Sequence, residues 1–155
     1  MFAGTDVLRA NLRGARWNPP DVEAIYGSLN LRTAAAEVDH LISRQPVPIR
    51  RARITHKLAI TLSRAVDLRS LLPLERLDIT PEMVMGADLS TSQLVGGAVA
   101  WLQCGGLLVP SARDKEANIV VFVRNMAPTD TLEPISQEQY PPNDPGSGMT
   151  TREPT

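Results

Sequence analysis

Two hydrophobic periods divide the chain. Leu31, Ala34, Ala35, Val38, Leu41 and Ile42 recur at the three-to-four spacing of one helix face, which predicts an amphipathic helix. Ser28 or Asn30 stands where its N-cap belongs. Gln45-Pro46-Val47-Pro48 ends it, because proline cannot continue a helix and disfavours helical geometry in the residue before it. Upstream, Ala24 to Ser28 is a short apolar run with a β-branched and an aromatic residue, read as a strand. From Arg53 to Leu68 the period falls to two. Ile54, His56, Leu58, Ile60 and Leu62 share one face, and Thr55, Lys57, Ala59, Thr61 and Ser63 share the other. That pattern predicts a half-buried strand or two in succession. His56 joins the apolar face by parity, so it reads first as a hydrogen-bonded core histidine and only second as a catalytic one.

Leu71 to Leu77 is apolar but broken by proline, a loop with a short helical turn. Thr80-Pro81-Glu82 starts a helix, with threonine as cap and proline at the first helical position. A further helix begins after Ser90 or Thr91 and carries Leu94, Val95, Ala98, Val99 and Leu102, with Gly105-Gly106 as its stop. Gly96-Gly97 inside it costs about 1 kcal/mol per glycine, a loss accepted where another backbone packs closely. Leu107-Leu108-Val109 and Ile119 to Val123 are two strands joined by a charged loop. Beyond Arg124 prolines accumulate and apolar residues thin out, so residues 126–155 are expected to form a disordered or loosely draped tail behind a domain of residues 1–125.

At 155 residues the chain has room for one domain with a real core. The net charge of −1 removes the simplest argument for nucleic-acid binding, and aromatics at 4% give little for bases to stack on. Arginines do cluster locally, at Arg9, Arg13 and Arg16 and again at Arg44, Arg50, Arg51 and Arg53. The second group reads as a solvated loop and the start of a strand. A single cysteine, Cys104, excludes an internal disulfide and a cysteine-based metal site, and its apolar setting suggests a buried inert thiol. His40 and His56 do not stand at a ligand spacing, so no metal is expected. No apolar run approaches a membrane span and no signal peptide is evident, which makes cytoplasmic residence the expectation.

Chemistry concentrates in Arg13-Gly14-Ala15-Arg16-Trp17-Asn18-Pro19-Pro20, the strand Ala24-Ile25-Tyr26-Gly27-Ser28, and Glu37. An arginine in a tight turn can grip a pyrophosphate through two parallel charge-assisted bonds. A tyrosine at a strand end can stack on a flat heterocycle. A carboxylate can stabilise the positive charge that grows when a glycosidic bond breaks. Together these describe a dinucleotide site, although no glycine-rich phosphate fingerprint is present. On residue types alone the plainer reading carries more weight: Trp17 and Tyr26 as core, Arg16 as a structural ion pair, Glu37 as a surface acid.

A family resemblance reverses that weighting. Gly14, Arg16, Trp17, Asn18 and Pro19 resemble the first block of the RES-domain toxins of bacterial toxin–antitoxin pairs. Tyr26 and Ser28 match that family's strand, Glu37 its helical glutamate, Asp67-Leu68 the end of its central strand, and Pro110-Ser111-Ala112 with Asn118 its last block. The match runs from about residue 12 to 124. Ala15 replaces the second glycine, and Asp21 stands where glycine is common. Family members carry an N-terminal strand with its own arginine, whose place Arg9 or Arg13 would take here unless that strand is missing.

The resemblance implies a single mixed α/β (α+β) domain similar to ADP-ribosyltransferases, a central β-sheet cleft with flanking helices. It implies NAD as substrate and cleavage of the nicotinamide–ribose bond, by NAD degradation (glycohydrolase or phosphorylase) or ADP-ribosyl transfer to a target protein. Arg16 would hold phosphate and Tyr26 would stack on nicotinamide. Glu37 would stabilise the transition state. Ser28 and Ser111 would bond ribose or amide, and Trp17 and Asn18 would complete the dinucleotide site. The implied partner is a helix-turn-helix antitoxin that blocks the cleft. The rival reading is a catalytically inactive remnant that serves as a binding module for an antitoxin or another partner.

Overall fold

The computed structural model describes residues 8–47 and 53–140. Strand β1 (Ala24–Ser28) leads to helix α1 (Leu31–Ser43), then strands β2 (Arg53–Thr61) and β3 (Ala65–Asp67). Three helices follow: α2 (Leu72–Glu75), α3 (Pro81–Met85) and α4 (Ser90–Trp101). Strands β4 (Gly106–Pro110) and β5 (Ala117–Phe122), a short 3-10 turn and strand β6 (Thr131–Tyr140) complete the order. The fold is therefore mixed α/β, as expected. Four strands form one mixed sheet in the order β1-β5-β4-β3, and β2 pairs with β6 in a separate antiparallel ribbon.

The sheet owes its core to strand alternation. Ala24, Phe122, Val120, Leu107 and Val109 fall on one face by register and are almost completely buried. Trp17, Leu68, Leu74, Val84, Val95 and Val99 close over this cluster from the loops and helices. Further along the same parity, that face turns polar at Tyr26, Ser28 and Asn118. The end of one core face is thus the floor of the candidate site.

Local chemistry explains the ends of the helices. Asn30 caps α1, accepting from the Thr33 amide at 2.8 Å, and Thr80 caps α3 in the same way through Met83. Helix α4 differs from expectation at both ends. Its first amide, on Ser90, is met by the Asp88 carboxylate at 2.9 Å. Its stop is Gln103, at φ 60°, with the amides of Gln103 and Cys104 returning to the carbonyls of Ala100 and Val99. That is the paired-bond helix ending usually built on glycine. Gly105 and Gly106 instead lead into β4, where the Leu62 side chain lies against Gly106. Gly96 meets the expected close neighbour: a methyl group there would run into the Trp17 carbonyl. Cys104 is buried and free.

The tail expectation fails at residues 131–140. These form β6, paired with β2 from Thr61↔Thr131 to Arg53↔Tyr140. Proline argued against a strand, but Pro134 sits where the register shifts beside Lys57 and Leu58, and a bulge in an edge strand is where a strand tolerates a residue with no amide hydrogen. The domain therefore does not end at residue 125. Strand β2 also departs from its pattern. Ile54 is 62% exposed, and half-buried His56 lines a cavity rather than the core. Arg53 pairs with Asp39 at 2.9 Å and lies over the Tyr140 ring. Arg50, Arg51, Pro48 and the tail beyond Tyr140 lie outside the described residues.

Candidate active site

The loop before β1 is built around two left-handed residues, Gly14 at φ 87° and Asp21 at φ 70°. Aspartate tolerates this conformation better than most side chains, so Asp21 can do the work of a glycine. Asn18, fully buried, ties the loop together: its amide donates to the carbonyls of Asn11 at 3.2 Å and Val22 at 2.8 Å. Its Oδ1 accepts from the Tyr26 hydroxyl at 2.8 Å, and that hydroxyl in turn accepts from the Trp17 amide at 2.9 Å. Burial first of all pushes the Tyr26 phenol up to about 12. Its oxygen is committed to the loop, yet the residue is 38% exposed, which leaves ring surface for stacking.

Arg16 leaves the same loop in another direction. Its Nη1 donates to the carbonyls of Val84 at 2.9 Å and Gly86 at 2.8 Å, holding the end of α3. Burial is the main cause lowering its pKa; Arg113 lowers it further, while Glu37 and Tyr26 oppose the shift. These four residues therefore share one electrostatic neighbourhood. Helix α4 holds the loop from behind, where Gln93 donates to the Ala15 carbonyl at 3.0 Å.

Glu37 lies in α1, one turn beyond buried Thr33, and half-buried. Its Oε1 accepts from the Ser111 hydroxyl at 2.6 Å and from the Asn118 amide at 2.9 Å. Asn118 Oδ1 accepts in turn from Ser28 at 2.7 Å. Among the described residues Oε2 carries no hydrogen bond. Ser111 is positioned by two amides that donate to its oxygen, those of Arg113 at 3.0 Å and Asp114 at 3.2 Å. The loop is pinned to α1 through Thr33, which donates to Asp114 at 3.0 Å.

Of the expected residues, Ser111 bonds Glu37 directly and Ser28 reaches it through Asn118, while Arg16 lies in its electrostatic neighbourhood and Tyr26 in that of Arg16. Trp17 does not join them as an aromatic wall. It is 3% exposed and belongs to the core. Buried Asn18 likewise shapes the turn and holds Tyr26 rather than reaching a ligand. Three residues enter that the candidate set lacked. Asn118, seen earlier only as part of a motif, bonds Glu37 directly. Arg113 and His40 meet across the cluster, Nη2 to Nε2 at 2.8 Å. Asp67 ends an edge strand outside the cluster, its carboxyl held down to about 2 by hydrogen bonds from Arg69.

Tyr26 and Ser28 also border an open cavity of about 1040 Å³ between β1, α1 and the β2–β6 ribbon. Small-molecule and cofactor pockets commonly span roughly 300–1,000 Å³, so the space suits a ligand of dinucleotide size. Among the described residues no group of histidine, cysteine or acidic side chains could hold a metal ion, and no helix is long and apolar enough to cross a membrane.

The sequence model of the RES domain family matches residues 2–143. The chain belongs to the RES domain family. Its fold is similar to a chain in the crystal structure of the M. tuberculosis MbcT–MbcA toxin–antitoxin complex, with a TM-score of 0.76 at 24% identity, covering 88% of this chain and 79% of that one. No curated protein sequence matches the chain. The RES match reaches past residue 125 to take in β6, in agreement with the ribbon.

Proposed function

We propose that this RES domain is the toxin of a toxin–antitoxin pair and cleaves the nicotinamide–ribose bond of NAD. The observation that carries this reading is the state of Glu37: Oε1 is fixed by Ser111 and Asn118, and among the described residues Oε2 has no partner. A carboxylate held in this way is preorganised for the positive charge that develops on ribose as nicotinamide departs. The exposed ring of Tyr26 offers a stacking surface for nicotinamide, and Ser28 stands at the cavity rim for ribose or amide. Arg16 adds positive charge to the neighbourhood of Glu37 for phosphate while anchoring α3. The partner is a helix-turn-helix antitoxin that covers the cleft, and the similar fold in a toxin–antitoxin complex supports that expectation. ADP-ribose passes to water, phosphate or a target protein.

Incubation of the purified protein with NAD should release nicotinamide. Glu37→Gln keeps the shape and most of the hydrogen bonding but removes the charge. Losing one such preorganised group costs about 2.7–4 kcal/mol, a loss of roughly 100- to 1,000-fold in rate. Equal rates for the two proteins would overturn the role of Glu37. No release by the wild type, together with tight binding of an antitoxin, would replace the enzyme with the binding-module reading.

A further inference from the structure

We propose that Arg113 is a second phosphate-gripping cation of this site, acting opposite Arg16 on a diphosphate. The inference takes the ligand's identity, a dinucleotide, from the NAD reading; the case for an anion starts from the hydrogen bonds that hold Arg113 beside Glu37 and from its charge. Arg113 brackets Glu37 from two sides. Its backbone amide supports Ser111, which bonds Glu37. Its guanidinium crosses to His40, one turn beyond Glu37 on α1.

Guanidinium has only donors, so in this contact His40 Nε2 is the acceptor. The contact orients Arg113 without neutralising it. Among the described residues, neither Arg113 nor Arg16 has a carboxylate within ion-pair distance; the ion pairs formed there involve Arg32, Arg53, Arg69 and Arg124. Asp114, the nearest acid in sequence, is already engaged by Thr33, the Lys115 amide and Arg32. Two arginines and one glutamate thus share the neighbourhood: burial is the main cause lowering the pKa of Arg16, Arg113 lowers it further, and Glu37 raises it. A pair of planar, multi-donor cations, neither in an ion pair and together only partly offset by one glutamate, favours bidentate recognition of phosphate oxygens. Arg113 is exposed, so it can turn from His40 to a ligand without breaking the core.

Calorimetric titration with inorganic pyrophosphate and with ADP tests the assignment, using wild type, Arg113→Ala and Arg113→Lys. Arg113→Ala should weaken both ligands by roughly 10-fold or more, the usual scale for losing a hydrogen bond to a charged group. Its dependence on salt should also be shallower than that of the wild type. Arg113→Lys should recover part of the loss. With NAD as substrate, the alanine variant should raise KM far more than it lowers kcat, a split that a merely structural role would not produce. Wild-type binding of pyrophosphate without nicotinamide release would keep the clamp and overturn the NAD reading. Nicotinamide release with KM unchanged in Arg113→Ala would overturn the clamp alone. No pyrophosphate binding by the wild type would overturn the clamp as well.

Discussion

The four-stranded sheet and strand β2 of the β2–β6 ribbon carry similar apolar, β-branched sequence, yet they bury it differently. In the sheet, Phe122, Leu107, Val109, Val120 and Val121 are nearly inaccessible to water. In the ribbon, no residue of β2 or β6 is fully buried, and its apolar side chains face the cavity or solvent. A two-stranded ribbon alone is marginally stable in water, whereas a sheet with loops and helices on its core face has cooperative packing to draw on. The contrast teaches that alternation specifies a strand but not what covers it. Here one alternating segment serves as scaffold and the other as a wall of the cleft.

Substitutions on the two sides should separate this contrast, beginning with the core. Phe122→Ala should cost about 3–5 kcal/mol, the range for removing a buried aromatic side chain, read as a fall in the urea midpoint with unchanged slope. A loss below about 1 kcal/mol would mean that the sheet is no better packed than the ribbon.

Tyr26→Phe tests the polar end of the same sheet face. It removes the hydroxyl that bridges the Trp17 amide and Asn18, leaving both underpaired, and should cost about 1–3 kcal/mol. It also carries a pH signature. The folded phenol ionises at about 12 against an ordinary 10.0, so folding favours its protonated form. That contribution is complete below pH 10 and is lost as pH rises from 10 towards 12. Ultraviolet titration should show a tyrosine ionising near 12 that vanishes in Tyr26→Phe, and the variant's stability should fall less steeply over this window.

Ile54→Ser should have the smallest effect, within about 0.5 kcal/mol, because substitutions at exposed sites rarely exceed this. A thermal midpoint that falls as far as that of Phe122→Ala would show the ribbon to be covered in solution and would erase the distinction.

What the sequence made legible follows from how local each signal was. Strand β1, helix α1 and the Thr80 cap rest on neighbouring residues and lie where the pattern put them. The Gly96 contact was also legible, since a glycine inside a helix asks for a close neighbour, although the neighbour itself was not. Strand β6 was hidden because Pro134 argues against a strand until a bulge and an edge are known to surround it. Residue type could not tell Trp17 as core from Trp17 as cleft wall, because the turn of the loop decides that. Arg113 looked like one charge in a solvated loop. Only the fold sets it across from His40, which is 73 positions away in sequence.

That separation is general to the site and has a consequence for synthesis. Arg16 reaches Val84 across 68 positions, Ser111 reaches Glu37 across 74, and Asn118 reaches it across 81. Each contact closes a long loop, so the entropy of closure must be met before any of them forms. On the ribosome, a nascent chain that has released only α1 displays Glu37 with neither of its donors. The carboxylate acquires its orientation only when β4, β5 and the loop between them have emerged and paired. The site comes into being only when the last core strand closes the sheet.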